Sequence, residues 1–436
     1  MVDAPPPDEE ILFTGFNQDS TSLAIGSRKG YKLYALNEAE ELNQLLDTKQ
    51  PDTCLIERLF SSSLITLVSQ TSPRKLRVCH FQRGTEICSH SYSNTVLNVR
   101  LNRLRLVVVL EESLYIHNIR DMKVIHTIRD TPPNALGVCE LTADDVSYLA
   151  YPGSTLIGQV QIFDAANLQA IQIIDAHEGR VAALKFNYDG SKLVTASEKG
   201  TVLRVFSVPA GSKLFEFRRG VKRCVSIHSL AFSRDSLFLC ASSNTETIHV
   251  FKLVRENPDQ RNNAGASVTS GGSAAQAPSV SKHRGAHDSA MGAVTSTAAG
   301  WLGYVTQIGH SYIPAQVSDI FSQDRAFATA YLPHAGSRTT VAIVQSQRKY
   351  RLLAASTDGF LYVYDFDSEH GGECSLAKQH RLFGSEITDD GLPAVEITSS
   401  QTMQQNTVGG DTTLRTADVN SLAQGGVSAS SQPDRP

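Results

Sequence analysis

Hydrophobic and polar positions alternate strictly over six-residue stretches that recur along the chain. The copies are Tyr31-Lys-Leu-Tyr-Ala-Leu36, Leu76-Arg-Val-Cys-His-Phe81, Leu114-Tyr-Ile-His-Asn-Ile119, Val160-Gln-Ile-Phe-Asp-Ala165, Leu203-Arg-Val-Phe-Ser-Val208, Ile248-His-Val-Phe-Lys-Leu253 and Leu361-Tyr-Val-Tyr-Asp-Phe366. A period of two places side chains on opposite faces of an extended chain, so each copy reads as a strand. The first six copies start 38–46 residues apart, the length of a four-stranded propeller blade. Seven copies predict an all-β fold, a seven-bladed β-propeller of the WD40-like kind occupying residues 11–382.

Single blades are legible. In the fifth, Val181–Phe186, Lys192–Ala196, Leu203–Val208 and Lys213–Phe217 read as four strands, with Asn187-Tyr-Asp-Gly190 as the first turn. In the sixth, Ser229–Phe232, Leu237–Ser242 and Ile248–Leu253 repeat the order. The last interval, from 248 to 361, exceeds one blade by about 68 residues. The surplus follows Leu253, and from Arg255 to Gly300 no aromatic residue occurs. That composition predicts a partly disordered insertion in blade six spanning 255–320. The tail 383–436, without an aromatic beyond Phe383, and residues 1–10 read as disordered for the same reason.

The chain has 436 residues, with 40 Lys+Arg against 44 Asp+Glu. The net charge of −4 argues against nucleic acid as a partner. No apolar run of 18 residues occurs, and the acidic, proline-rich start does not resemble a signal peptide, so a soluble intracellular protein is expected. Seven cysteines without knuckle spacing read as small, mostly buried thiols rather than a metal site. Phosphate-loop, nucleophile-elbow and metalloprotease motifs are all missing, which predicts a non-enzyme without cofactor or metal.

One local feature stands against the acidic average. From Glu216 to Arg223 there are four cations and one anion, around Phe217-Arg218-Arg219-Gly220 at the junction of blades five and six. Adjacent residues of an extended chain point in opposite directions, so Arg218 and Arg219 can serve two separate pockets. Guanidinium forks suit phosphate oxygens, although the charge alone favours a solvated basic turn.

Phe217-Arg218-Arg219-Gly220 in such a propeller resembles the phosphoinositide-binding motif of the PROPPIN family. Glu57–Leu64, Leu110–Ile119 and Ser242–Thr247 are similar to its animal autophagy members, the WIPI proteins. The resemblance covers Phe13 to His380. It implies one headgroup pocket on blade five, from His177, Thr195, Ser197, Gly200, Thr201, Arg204 and Arg218. It implies a second on blade six, from Arg219, Gly220, Ser243, Thr247 and His249. The implied ligands are phosphatidylinositol 3-phosphate and phosphatidylinositol 3,5-bisphosphate. If His177 and His249 line the pockets, affinity should rise as pH falls toward the imidazole pKa.

Trp301, Tyr304, Val305, Ile308 and Tyr312 form one stripe at helical spacing, with Leu302 beside it. The resemblance implies that this blade-six segment inserts into the bilayer; packing against the propeller is the alternative. It also implies recruitment of the coiled-coil scaffold of the autophagy lipid-conjugation complex through blades two and three, where Arg103 and Arg105 are the candidates to meet acidic residues. The expectation is a monomeric, cytoplasmic effector recruited peripherally to phagophore and endosomal membranes. A propeller scaffold that binds only proteins is the alternative.

Overall fold

The computed structural model describes residues 10–37, 41–220, 223–253, 325–346 and 349–383. The insertion with Trp301, Leu302, Tyr304, Val305 and Ile308, and the tail, lie outside the described residues. The strands assemble into seven sheets, six of four strands and one of five. The first strands are Ile11–Phe16, Thr53–Arg58, Asn98–Leu101, Glu140–Leu141, Val181–Phe186, Ile227–Phe232 and Thr339–Ser346. Each touches the first strand of the next sheet, and Thr339–Ser346 touches Ile11–Phe16, so the sheets close into a ring. The fold is a seven-bladed β-propeller.

The six-residue repeat falls in the third strand of every blade, including Tyr31–Asn37, Val202–Ser207, Thr247–Lys252 and Phe360–Asp365. Second strands are packed on both faces by neighbouring blades. Ser22–Ser27 and Phe238–Ser243 are accordingly buried at every position. Outer strands such as Gln169–His177 keep mostly exposed side chains, the single-sided pattern of a sheet edge. The Asp-Gly turn of blade five forms as its sequence requires, with Gly190 at φ +69° and its N–H donating to Asn187 O at 3.2 Å.

Ring closure uses side chains rather than an exchanged strand, because blade one takes all four strands from the N-terminal 48 residues. Ile11, Leu23 and Ile25 pack against Ala342, Leu353 and Val363 of blade seven. The Tyr34 hydroxyl donates to Leu382 O at 2.9 Å, and Thr340 Oγ1 donates to Thr14 O at 2.9 Å. Blade six gains a short fifth strand, Gly372–Glu373, which pairs in parallel with Ala328–Tyr331.

The blade-three arginines separate by position. Arg100 turns into the axial channel, where it binds Glu140 at 3.0 Å and lies 3.8 Å from Glu57. Arg105 donates to the carbonyls of Ala165 and Ala166 in blade four, at 2.7 and 3.0 Å. Arg103 remains exposed, its guanidinium 3.9 Å from the centre of the Phe60 ring. The cysteines are all free; Cys79, Cys139, Cys240 and Cys374 are buried, whereas Cys224 is exposed.

Candidate headgroup-binding site

The Phe-Arg-Arg-Gly segment leaves the outer strand of blade five, Lys213–Arg218. Phe217 is the anchor. It is buried in the core shared by blades five and six and stacks on Phe251 of blade six at 5.0 Å. That contact fixes where the chain turns, and the two arginines that follow part company. Arg218 pairs across the sheet with Val202 and is exposed. Arg219 donates its backbone N–H to Thr201 O at 2.9 Å and is half-buried between the blades.

On the blade-five side, the His177 ring Nε2 and Thr195 Oγ1 lie 2.8 Å apart, and Thr195 Oγ1 donates onward to Arg204 O at 3.3 Å. Arg204 is held by Ala176 O at 2.6 Å and Glu216 at 2.9 Å. Hydrogen bonds from Lys213 and Arg204 hold the Glu216 carboxyl below its usual pKa. Thr195 is fully buried and Ser197 nearly so, so both stand behind the surface and brace it. The turn carrying Gly200 and Thr201 closes through Gly200 N–H to Ser197 O at 2.9 Å. Gly200 has φ +60°, and a Cβ there would lie 2.1 Å from Val225 O, so the turn depends on glycine.

On the blade-six side the side chains form a ladder. Arg219 Nη1 donates to Ser243 Oγ at 3.3 Å and Thr245 Oγ1 at 3.4 Å. Thr245 lies 2.9 Å from Ser243 and 3.2 Å from Thr247, whose hydroxyl is 3.3 Å from His249 Nε2. Arg219 Nε also donates to Gly200 O at 3.2 Å, tying the second site to the turn of the first. Among the described residues, a Cβ on Gly220 would meet no atom within 4 Å. Thr245 is the member that the sequence reading missed. Its signal is the alternation Ser243-x-Thr245-x-Thr247.

The imidazoles bear on the expected pH dependence. Burial first, and then the nearby Arg204, push the His177 pKa down to about 4. Burial and Arg219 do the same to His249, also to about 4. Both rings are therefore neutral from pH 7.5 to 6 in the ligand-free fold, so a rise in affinity over that window requires a bound phosphate to raise their pKa. Burial and the facing Arg223 likewise lower the Arg219 pKa, so an anion entering here would meet two neighbouring cations. Among the described residues, no cluster of three His, Cys, Asp or Glu could hold a metal, and no helix is long and apolar enough to cross a membrane.

A propeller with adjacent arginines between two clusters of hydroxyl and imidazole side chains defines a class, and comparison with known proteins gives it a family. The PROPPIN family pattern matches residues 11–277 and 280–383. The chain is 53% identical over 380 residues to WD repeat domain phosphoinositide-interacting protein 2 of Xenopus laevis, covering 86% of this chain and 80% of that protein. It is 44% identical to Autophagy-related protein 18 of Caenorhabditis elegans, covering 86% of each. A solved complex of KlAtg21 with the coiled-coil of AgAtg16 shares the fold at TM-score 0.62 and 21% identity, covering 86% of this chain and all of that one. The chain belongs to the PROPPIN family.

Proposed function

We propose that this protein is a non-enzymatic phosphoinositide effector of autophagy. Its two pockets flank Phe217–Gly220 and take phosphatidylinositol 3-phosphate and phosphatidylinositol 3,5-bisphosphate. The observation that carries the reading is the placement of Arg219 at the head of the Ser243–Thr245–Thr247–His249 ladder, with Arg218 exposed at the end of the adjoining outer strand. A guanidinium with hydroxyls arrayed behind it matches a phosphate monoester, which needs charge and several donors together. The His177, Thr195 and Arg204 group supplies the corresponding wall for the first pocket.

Two sites on one membrane raise the apparent affinity through effective concentration, so each is weak by itself and recruitment is reversible. Peripheral recruitment to phagophore and endosomal membranes that carry these lipids follows. The segment with Trp301, Leu302, Tyr304, Val305 and Ile308 adds apolar contact by insertion. Recruitment of a coiled-coil autophagy scaffold falls to the blade two and three seam. There Arg103 is the exposed candidate, whereas Arg105 is engaged by blade-four carbonyls.

Flotation with vesicles that carry or lack a 3-phosphorylated inositide tests the reading. Binding only to the carrying vesicles is expected. Equal binding to both sinks the lipid reading and leaves the protein-only scaffold.

A further inference from the structure

The turn between the second and third strands lies at the same end of blades four, five and six. Blade five places Gly200 and Thr201 of the first pocket there, and blade six places Thr245 of the ladder. In blade four the corresponding turn carries Ser154-Thr155-Leu156-Ile157. The next residue, Gly158, pairs across the sheet with His177. A Cβ on Gly158 would lie 2.5 Å from His177 Cβ and 2.6 Å from Gly179 O. This turn thus abuts the strand end that supplies His177 to the first pocket.

Its chemistry differs from that of its two counterparts. Leu156 is 82% exposed and Ile157 44%. The backbone beneath them is fixed: Ser154 Oγ accepts from Leu156 N–H at 3.1 Å and Ile157 N–H at 3.3 Å, and Gln159 N–H donates to Ile157 O at 2.9 Å. Exposed cations stand at the same strand ends, with Lys199, Arg218 and Arg223 close in sequence to the pockets. Arg180 is also there, paired with Glu198. A hydrogen-bonded apolar tip at the same end of the blades as these cations suits the boundary between headgroups and acyl chains, where apolar side chains leave water and cations meet anionic lipid.

We propose that Leu156 and Ile157 form an apolar membrane contact that enters the bilayer interface beside the headgroup held by the first pocket. The occupant is the lipid surface, because the tip is continuous with the strand end of the headgroup site, and the proposal rests on the phosphoinositide reading above. Removing the two side chains should weaken vesicle binding by roughly tenfold, the scale expected for partial burial of a leucine and an isoleucine.

The test measures the full chain against phosphatidylcholine vesicles containing phosphatidylinositol 3-phosphate, and separately against soluble inositol 1,3-bisphosphate. Leu156→Ser/Ile157→Ser should bind vesicles about tenfold more weakly and the soluble headgroup unchanged. Arg218→Thr/Arg219→Thr should lose both. Unchanged vesicle binding by Leu156→Ser/Ile157→Ser overturns the proposal and leaves the headgroup reading standing, with the tip free for a protein partner. An equal loss on the soluble headgroup also overturns it, since the tip would then be shaping the pocket. Wild-type protein that binds neither probe removes the headgroup reading, and the proposal with it. As a second variant, Leu156→Trp in a Trp301→Phe background should shift its emission to the blue on vesicle addition; an unshifted spectrum contradicts membrane entry.

Discussion

Thr245 joins Arg219 to the rest of the blade-six ladder through contacts to Ser243 and Thr247. Thr245→Val keeps the shape and deletes that link. The expected result is several-fold weaker binding of a 3-phosphorylated headgroup with little change in stability, since the position is half-buried. Calorimetric titration beside a urea melt separates the two effects. The imidazoles give a second prediction. An unfolded histidine titrates near 6.5, whereas His177 and His249 in the fold are held at about 4. A lowered folded pKa means that the unfolded chain takes up the proton first. The associated stability is therefore present above pH 6.5 and is lost as pH falls from 6.5 toward 4, on the order of 3 kcal/mol per ring. Urea midpoints should fall across that window, less steeply in His177→Gln/His249→Gln. Midpoints that do not move would mean the rings are solvated.

At the scale of elements, the third strand of each blade was the part most open to sequence reading. It is packed on one face only partly, so its alternation survives, as in Val202–Ser207 and Thr247–Lys252. Second strands such as Phe238–Ser243 are buried on both faces and lose that signature, and the short Gly372–Glu373 strand carries no hydrophobic pattern at all. Long-range pairings were invisible for a different reason. Nothing near Arg100 in the sequence points to Glu140, 40 residues away, which the fold sets beside it. The candidate headgroup residues other than Thr245 came from the family resemblance that Phe217–Gly220 carries. Which of them face outward and which brace the wall, as buried Thr195 does, depended on the packing between blades. Closure of the ring depends on such packing too. Tyr34→Phe removes the hydroxyl that reaches Leu382 O, and should cost about 1 kcal/mol in a urea melt while leaving vesicle binding intact. A loss of lipid binding at unchanged stability would show that the seam between blades one and seven communicates with the pockets.

For the whole molecule, a net charge of −4 gave no reason to approach an anionic surface. The propeller resolves this by concentrating cations where blades five and six meet and placing adjacent arginines on opposite sides of one strand end. Phe217 sets that geometry, because its burial against Phe251 fixes the blade seam from which both arginines depart. On the proposed reading, with two pockets, one apolar turn on blade four and the blade-six insertion, the protein visits membranes through several modest contacts. The most direct measurement is vesicle flotation of the wild type, Arg218→Thr, Arg219→Thr and the double variant, on membranes with and without phosphatidylinositol 3-phosphate. Two independent pockets predict lipid-dependent binding that each single variant weakens and the double variant abolishes. Undiminished binding by the double variant, or binding that ignores the lipid, would contradict the account.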